Sequence, residues 1–468
     1  MRYVSTRGEA PELSFEDALL AGLARDGGLY VPKAWPRLAP EAIAALAGKP
    51  FAEVATAVVG QFADTIPRED LARLAADAYA RFGHPAVTPL VQLDTSLWVL
   101  ELFHGPTLAF KDVAMQLIAR LMDRTLGERR EHVTIVAATS GDTGGAAVEA
   151  FAGSKRVTAI VLYPHGRVSD VQRRMMTTPK AANVHAVAID GTFDDCQALV
   201  KAMFNDLAFR DRARLAAVNS INWARVVAQM TYYVVAATAL GAPHRPVSFA
   251  VPTGNFGDIL AGYAARRCGL PIDRLAIATN ANDILARAHS SGVYEVRDVT
   301  ATTSPSMDIQ VSSNFERYLF EASGRDAAWV RARMGALRQS GRFELGEALT
   351  PLRAEFDAAS ASEAEVAATI RRVEADCGYL LDPHTACGVV AAHKTPARRQ
   401  SPTVVLATAH PAKFPDAMEA ITGKRPPLPA RLASLMSEPE RITRLPNDQA
   451  AVQRFVEERA QAKQGAAA

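Results

Sequence analysis

Cysteine is scarce in this sequence, and its few cysteines are not arranged to bind a metal. The chain of 468 residues contains only Cys196, Cys268, Cys377 and Cys387. None of them belongs to a C-x-x-C pair or to a cysteine–histidine cluster with zinc-ligand spacing. Free thiols in a reducing compartment are the simplest interpretation, and we predict no metal site.

Long hydrophobic runs are also missing, as is an excess of either charge. The most apolar helix-like stretch, YYVVAATALGA, is too short to span a bilayer, and the N-terminal stretch has acids throughout and no signal-peptide core. Lys and Arg number 52 against 50 Asp and Glu, which gives no reason to expect a nucleic-acid or membrane surface. We expect a soluble cytoplasmic protein that holds any anionic ligand at a local site.

The pattern of apolar residues in the sequence changes after about the first ninety residues. The beginning is rich in Ala and Leu at helical spacing, and GHPAVTPL then breaks the pattern. Short runs of β-branched and small apolar residues follow, alternating with helical patterns: HVTIVAAT, RVTAIVLYP, VSFAVPT, RLAIATN and TVVLATA. Strands of this kind are buried on both faces, so the pattern predicts an α/β fold with a mostly parallel sheet behind a mainly helical N-terminal domain, 1–88.

A single lysine stands at the start of the helical pattern in HGPTLAFKDVAMQLIARLM. Helix starts favour acids, because their free N–H groups and the helix dipole make that end positive. Asp112 follows this preference and Lys111 does not. A cation there loses its proton more easily, which suits an amine that acts as a nucleophile. The alternative is a solvated surface lysine.

Two strand-to-helix turns could each hold an anion. In VPTGNFGD, the glycines Gly254 and Gly257 bracket Asn255 and Phe256, and a helix is predicted to begin near Asp258. Converging N–H groups and a helix start bind phosphate, although the turn could also be a tight connection without a ligand. It is neither a P-loop nor a G-x-G-x-x-G dinucleotide motif.

The second turn, ATSGDTGGAA, has the same layout and offers hydroxyl groups. Ser140 and Thr143 could hold a carboxylate or phosphate, whereas Asp142 would repel an anion unless it only caps the helix. A reactive lysine and two anion cradles in an α/β chain indicate a pyridoxal phosphate site. One cradle would take the cofactor phosphate and the other the substrate.

With these motifs in place, the sequence resembles the threonine synthase family, which belongs to the fold-type II pyridoxal-phosphate enzymes. The matching stretches run in order through nearly the whole chain: DGGLYVP, ELFHGPTLAFKD, ATSGDTGGAA, NSINWAR, VPTGNFGD, SSNFER, DPHTACG and ATAHPAKFP. The resemblance implies the last step of threonine biosynthesis, in which O-phospho-L-homoserine and water become L-threonine and phosphate. It also implies two α/β lobes behind the helical domain: a large cofactor-binding domain, 89–130 and 223–468, and a smaller lobe carrying SGDTG, 131–222.

The resemblance implies that Lys111 forms the Schiff base with the cofactor. Lys111 is the one residue to which we assign a catalytic role. It makes the turn after VPT the cofactor-phosphate loop and Thr408 a candidate partner of the pyridine nitrogen, although Thr408 could instead be a satisfied hydroxyl at a strand end. The predicted cofactor site comprises Lys111, Phe110, Gly254, Asn255, Phe256, Gly257, Asp258 and Thr408.

A polar stretch before a helix, NSINWAR, could bind the phosphate of the substrate. Arg225 can form a two-pronged contact to phosphate, but the stretch could equally be a helix cap with a salt-bridged arginine. The predicted substrate site comprises Thr139, Ser140, Asp142, Thr143, Asn219, Ser220, Asn222 and Arg225. We expect a monomer or homodimer whose only ligands are small molecules.

Two other functions remain open at this point. A serine or threonine dehydratase, or a phospho-lyase that eliminates without adding water, would have a similar cofactor site, and Lys111 does not separate them. NSINWAR and the long N-terminal domain favour threonine synthase. A non-catalytic protein on the same fold is the other class, and it would have no need for the lysine and its surroundings.

Overall fold

The computed structural model describes residues 1–395 and 401–465, with the side chains of 462–465 excepted. Its first part is mainly helical and also contains one antiparallel strand pair, β1–β2, that the sequence did not predict. Helices α3 and α4 bury their apolar faces against each other and against the next domain. The elements are β1 (Tyr3–Ser5), α1 (Phe15–Ala21), β2 (Tyr30–Pro32), α2 (Pro40–Ala44), α3 (Phe51–Val59) and α4 (Arg68–Tyr79).

From residue 90 onward, strands and helices alternate, as the apolar runs predicted. The strands are β3 (Leu90–Gln92), β4 (Leu97–Glu101), β5 (Val133–Ala138), β6 (Val157–Pro164), β7 (Val184–Asp190), β8 (Leu215–Ala216), β9 (Val247–Pro252), β10 (Ile272–Thr279), β11 (Val293–Glu295), β12 (Arg342–Glu344), β13 (Phe356–Ser360), β14 (Thr403–Ala407) and β15 (Thr443–Pro446). The helices are α5 (Lys111–Arg129), α6 (Asp142–Phe151), α7 (Asp170–Thr177), α8 (Phe193–Asn205), α9 (Leu207–Arg212), α10 (Trp223–Ala239), α11 (Gly257–Arg267), α12 (Ile284–Ser291), α13 (Phe315–Ala322), α14 (Ala327–Ser340), α15 (Leu349–Glu355), α16 (Glu363–Cys377), α17 (Pro383–Lys394), α18 (Pro415–Thr422) and α19 (Gln449–Gly465). All five predicted apolar runs form strands: β5, β6, β9, β10 and β14.

The larger sheet has six strands in the order β13-β10-β9-β14-β4-β3. Every neighbouring pair is parallel except β3–β4 at the edge. Its central strands β9 and β14 are buried along their whole length, as expected for a parallel sheet covered by helices on both faces. Helices α11 and α17 pack on the sheet, and Tyr233 of α10 contacts Phe249 of β9.

The smaller sheet has five parallel strands in the order β15-β7-β6-β5-β8. Its edge strand β15 comes from the C-terminal part of the chain, which we had assigned with 223–468 to the large domain. That assignment is wrong for this strand, which pairs with β7, and α19 packs beside it with Val452 and Val456 buried in the core of the smaller lobe. Strand β15 and helix α19 have few apolar side chains, so the sequence does not indicate which of the two sheets β15 joins.

Helix α10 connects the three parts of the molecule. Nearly all of its residues are buried, and it packs on α3 of the N-terminal domain, on α5 and on α11. Because of this packing, the start of α5, the start of α11 and the turn before α10 surround a common space. Among the described residues, no helix combines the length and apolarity needed to cross a membrane.

Candidate active site

A cavity of about 1060 Å³ lies where the two sheets end. Residues just after β5, β9 and β14 line it, so it lies at the carboxyl ends of parallel strands from both sheets. Ligands of open α/β sheets bind at this end, because the connecting loops and helix starts converge there. The cavity is the candidate active site.

Lys111 is the first residue of α5, as predicted, and its side chain enters the cavity. The N–H of Phe110 donates to the carbonyl of Thr408 at 2.9 Å, which fixes the helix start to the end of β14. The Lys111 side chain is only 12% exposed, which excludes the solvated surface lysine. Burial is the main reason that the pKa of Lys111 lies below its ordinary value, although Asp142 opposes the shift.

The turn between β9 and α11, which is the predicted phosphate cradle, lines the cavity. Phe256 adopts a left-handed backbone conformation with φ of +61°, whereas neither glycine of the turn does. The hydroxyl of Ser312 donates to the Gly254 carbonyl at 2.6 Å, and the backbone and side chain of Asn314 both donate to the Asn255 carbonyl. These bonds satisfy the two carbonyls, while the N–H groups of the first helical turn have no partner within their own helix.

Asp258 lies behind the cradle in a buried cluster. Its Oδ1 atom accepts hydrogen bonds from the hydroxyls of Tyr232 and Tyr233 at 2.5 and 3.2 Å. Burial raises the pKa of the Asp258 carboxyl to about 7, against the effect of these two hydrogen bonds. The carboxyl therefore carries its proton much of the time near neutral pH, and a neutral carboxyl tolerates an anion in the adjacent cradle.

Arg225 lines the cavity and is 2% exposed. Its strongest recorded contact is a long 3.5 Å hydrogen bond from Nη1 to the Val218 carbonyl. Its Nε has no partner among the described residues. Burial lowers the pKa of Arg225 to about 10, so the guanidinium stays charged at neutral pH. A buried cation with an unused N–H donor indicates a site for an anion.

The polar turn before α10 divides into residues that line the cavity and one that does not. Asn219 and Ser220 line it, and the Asn219 Oδ1 atom is buried with no hydrogen-bond partner in the part of the chain described. Asn222 caps α10 and donates to the carbonyls of Leu19 and Ala217. The Asn222 side chain is hydrogen-bonded to backbone groups and lies outside the cavity lining. The prediction of Asn222 as a substrate ligand is therefore wrong.

The SGDTG turn also lines the cavity, with Ser140 and Thr143 partly exposed to it. The Oγ1 atom of Thr139 accepts from the N–H groups of Gly141 and Gly144 at 2.9 and 2.8 Å, so it shapes the turn. The predicted role of Asp142 as a substrate ligand is not supported, because its carboxylate is fully engaged by other side chains.

Sequence reasoning missed several residues of the site because they come from distant segments. Lys413 forms a 2.7 Å ion pair with Asp142. Arg7 of the N-terminal domain lines the cavity and contacts Glu316 through two hydrogen bonds of 3.0 and 2.9 Å. The quoted stretch ATAHPAKFP contains Lys413, but neither its spacing nor its neighbours indicate its partner.

The donors of this cavity fit pyridoxal phosphate better than a metal ion. A buried amine, a strand-to-helix turn and a buried guanidinium with an unused N–H suit a ligand with a carbonyl group and a phosphate. Within the described ranges, no three His, Cys, Asp or Glu side chains are grouped so that they could hold a metal ion. Thr408 follows β14 and lines the same cavity, which keeps it a candidate partner of a pyridine nitrogen.

Three family models match the sequence and together span most of it. "Threonine synthase N terminus" matches 2–79, "Pyridoxal-phosphate dependent enzyme" matches 82–409, and "Threonine synthase, C-terminal" matches 385–456.

Individual relatives are similar over nearly their full length. The threonine synthase of Pseudomonas aeruginosa is 52% identical over 97% of this chain and 98% of its own. A crystal structure of pyridoxal-phosphate-bound threonine synthase from Brucella melitensis has a TM-score of 0.95 and 58% identity, covering 98% of this chain and 100% of the other. The yeast threonine synthase structure has a TM-score of 0.92 and 39% identity, with 98% and 99% coverage.

Proposed function

Because this chain belongs to the threonine synthase family of pyridoxal-phosphate-dependent enzymes, we propose that its cavity converts O-phospho-L-homoserine and water into L-threonine and phosphate. The observation that carries the proposal is that Lys111, the Gly254–Gly257 turn and the SGDTG turn line the same cavity. The two turns would offer separate donors to the cofactor and to the substrate.

The cofactor would be held at four places by this chain. The N–H groups of the cradle would bind its phosphate, Lys111 would bind its carbonyl carbon, Thr408 would contact its pyridine nitrogen, and Phe110 would pack beside it. When bound, the cofactor supplies an electron sink for the charge left when a proton is removed from the substrate. A hydroxyl at Thr408 leaves the pyridine nitrogen less charged than a carboxylate would.

Lys111 is the proton carrier of the reaction. With the cofactor bound, the Lys111 amine, once freed by the amine of the substrate, would remove the proton on the α-carbon and serve the later transfer at the β-carbon. Phosphate leaves from the γ-carbon, and water adds at the β-carbon. Burial favours the neutral amine, which is the form in which Lys111 can accept a proton.

The substrate brings a phosphate and a carboxylate, and the cavity offers donors for both. Arg225, with Asn219 and Ser220, would bind the phosphate, since its buried guanidinium lacks a carboxylate partner among the ion pairs of the described residues. The hydroxyls of Ser140 and Thr143 would bind the carboxylate. Burial strengthens these contacts, because competing water is excluded.

Isotope-labelled water distinguishes this activity from its nearest rival. Run in heavy-oxygen water, the reaction is expected to place the label in the β-hydroxyl of threonine and to leave the released phosphate unlabelled, because the carbon–oxygen bond breaks. Mass spectrometry of both products measures this. If the main product is 2-oxobutanoate with ammonia, the chain is a phospho-lyase; if phosphate carries the label, water has attacked phosphorus and elimination is excluded.

Replacing Gly257 by valine is expected to weaken cofactor binding by about tenfold or more, equivalent to about 1.4 kcal/mol. A Cβ at this position would lie 3.3 Å from the Asn314 Nδ2 atom, which holds the cradle through the Asn255 carbonyl. The displaced turn would then lose its alignment of N–H groups. Fluorescence titration of the cofactor-free protein with pyridoxal phosphate measures the change.

The matched control for that substitution is Gly335→Val. Gly335 lies within α14, where a Cβ would meet no atom within 4 Å. It reports the general cost of valine in place of a helical glycine, and it should leave cofactor affinity unchanged. Equal cofactor affinities in well-folded Gly257→Val and wild-type protein would contradict the role of the cradle.

We also propose that the enzyme is cytoplasmic and acts as a monomer or homodimer on small molecules alone. All four cysteines are free thiols, and three of them are buried, which suits a reducing compartment. Sedimentation velocity with and without cofactor measures the oligomeric state.

A further inference from the structure

Three charged side chains from separate parts of the chain meet beside the cavity. Lys111 begins α5, Asp142 begins α6 in the smaller lobe, and Lys413 follows β14 of the larger sheet. The Asp142 carboxylate lies 3.2 Å from the Lys111 ammonium and 2.7 Å from the Lys413 ammonium. Lys413 and Asp142 are 1% and 3% exposed, so solvent does not screen their interaction.

Both oxygens of Asp142 have two partners. Oδ1 accepts from Lys413 and from Gln172 at 2.9 Å, and Oδ2 accepts from Lys111 and from Ser306 at 3.1 Å. The carboxylate is therefore shared, and the shorter of its two ion pairs is with Lys413. Burial alone would raise the pKa of Asp142, but the ammonium groups of Lys413 and Lys111 hold it well below its usual range.

Lys413 is fixed in this position by the backbone. Its Nζ donates to the carbonyl of Thr107 at 2.8 Å, and the Ser169 hydroxyl donates to the Lys413 carbonyl at 3.0 Å. Lys413 does not line the cavity, in contrast to Lys111 and Asp142. It is therefore placed to act on the reaction through Asp142 and not through direct contact with a ligand.

We propose that Lys413 is a positioning residue of the reaction: by taking up the charge of Asp142, it prevents Lys111 from being held as a permanent ammonium–carboxylate pair. The inference rests on the proposed function, in which the Lys111 amine must release and recover protons. Asp142 alone would favour the charged form of Lys111, because an opposite charge a few ångströms away stabilises it. With Lys413 present, Asp142 orients the Lys111 amine, but the negative charge of Asp142 is already neutralised by Lys413.

The other charged groups around this trio are few. The positive charge of Arg225 on α10 favours the neutral form of Lys111. The carboxyl group of Asp258 on α11 also interacts with Lys111, and it favours the charged form. Asp112, on the same helix as Lys111, interacts with Lys413, and burial raises the pKa of its carboxyl to about 6. These groups stay in place in the variants below.

The test is the pH dependence of the visible absorption of the cofactor attached to Lys111, measured on the holoenzyme. In Lys413→Met, the midpoint is expected to shift upward by about one pH unit or more, since Asp142 is then left to Lys111 alone. Lys413→Arg keeps the charge and should restore the wild-type midpoint. Lys394→Met, which removes a surface lysine paired with Glu365, is the matched control and should not move it.

A second pair of variants covers the case in which Lys413→Met does not fold. In Lys413→Gln, which removes the charge but keeps an N–H donor for the Thr107 carbonyl, the midpoint should lie above that of Lys413→Arg. Thermal unfolding checks that both are folded. An unchanged midpoint in folded Lys413→Met, or equal midpoints in this second pair, would overturn the proposal.

The same shift can be measured without the cofactor or the reaction. Competitive acetylation of the cofactor-free chain over a series of pH values, with the Lys111 peptide quantified by mass spectrometry, gives the protonation midpoint of Lys111 directly. The Lys413→Met protein should again titrate at higher pH than wild type. A phospho-lyase result in the labelled-water experiment would overturn the proposed function and leave this measurement unaffected.

Discussion

Lys111→Ala is expected to lower turnover by about 10³-fold and to remove the visible absorption of lysine-bound cofactor, since one side chain supplies both the covalent attachment and the proton transfers. The expectation follows from the burial of Lys111 at the start of α5 and from its place in the cavity. The measurement combines absorption spectra with a phosphate-release assay. Lys394→Ala, at an exposed surface lysine, is the control and should behave as wild type.

Chemical mapping decides whether Lys111 is the attachment point. Borohydride reduction of the holoenzyme, followed by peptide mapping, should place the reduced cofactor on the peptide that contains Lys111. A label on another lysine would contradict the assignment. Two other lysines matter for this test: Lys201 also lines the cavity, whereas Lys413 lies outside the cavity lining and is bonded to Asp142 and Thr107.

Arg225→Met is expected to reduce kcat/KM for O-phospho-L-homoserine by about 10- to 150-fold. This corresponds to the loss of one charge-assisted hydrogen-bond partner, about 1.5–3 kcal/mol. Slow reactions with unphosphorylated serine or threonine should change little, because those substrates have no phosphate to bind. Steady-state kinetics with both substrate types measure the difference.

The control for Arg225 is Arg120→Met, which removes a half-buried arginine that bonds to Gln116 of its own helix. Equal losses on both substrate types in Arg225→Met would show that the residue supports the fold. A loss of affinity for pyridoxal phosphate in place of substrate selectivity would assign Arg225 to the cofactor phosphate. Either result contradicts its role in recognising the substrate.

Sequence patterns predicted the local structure correctly where a single short segment contains all the residues that determine it. The five apolar runs became strands, and Lys111 stands at a helix start. The turn of the predicted cradle lines the cavity, but its left-handed residue is Phe256 and not a glycine. The helix start predicts a lowered pKa for Lys111, and burial is the largest cause of the shift. Burial depends on what packs above a residue, which its neighbours in sequence do not specify.

Residues with two plausible roles could not be resolved by sequence. Asn222 fits equally well as a substrate ligand or a helix cap, and the carbonyls that it bonds lie on α1 and before α10. Asp142 was recognised as a poor ligand for an anion, but not as the partner of two lysines. Both outcomes depend on groups that approach from other segments.

The α/β architecture, the family and the place of Lys111 at a helix start could be predicted from the sequence, because apolar periodicity, turn residues and contiguous motifs are properties of short segments. The folded chain was needed to show that Lys413 and Lys111 share Asp142, that Arg225 is buried with an unused N–H, and that β15 completes the smaller sheet. Charge pairing and burial arise from contacts between segments that are distant in the chain. In a buried site these contacts set the proton affinity of each group, since water is no longer present to screen them.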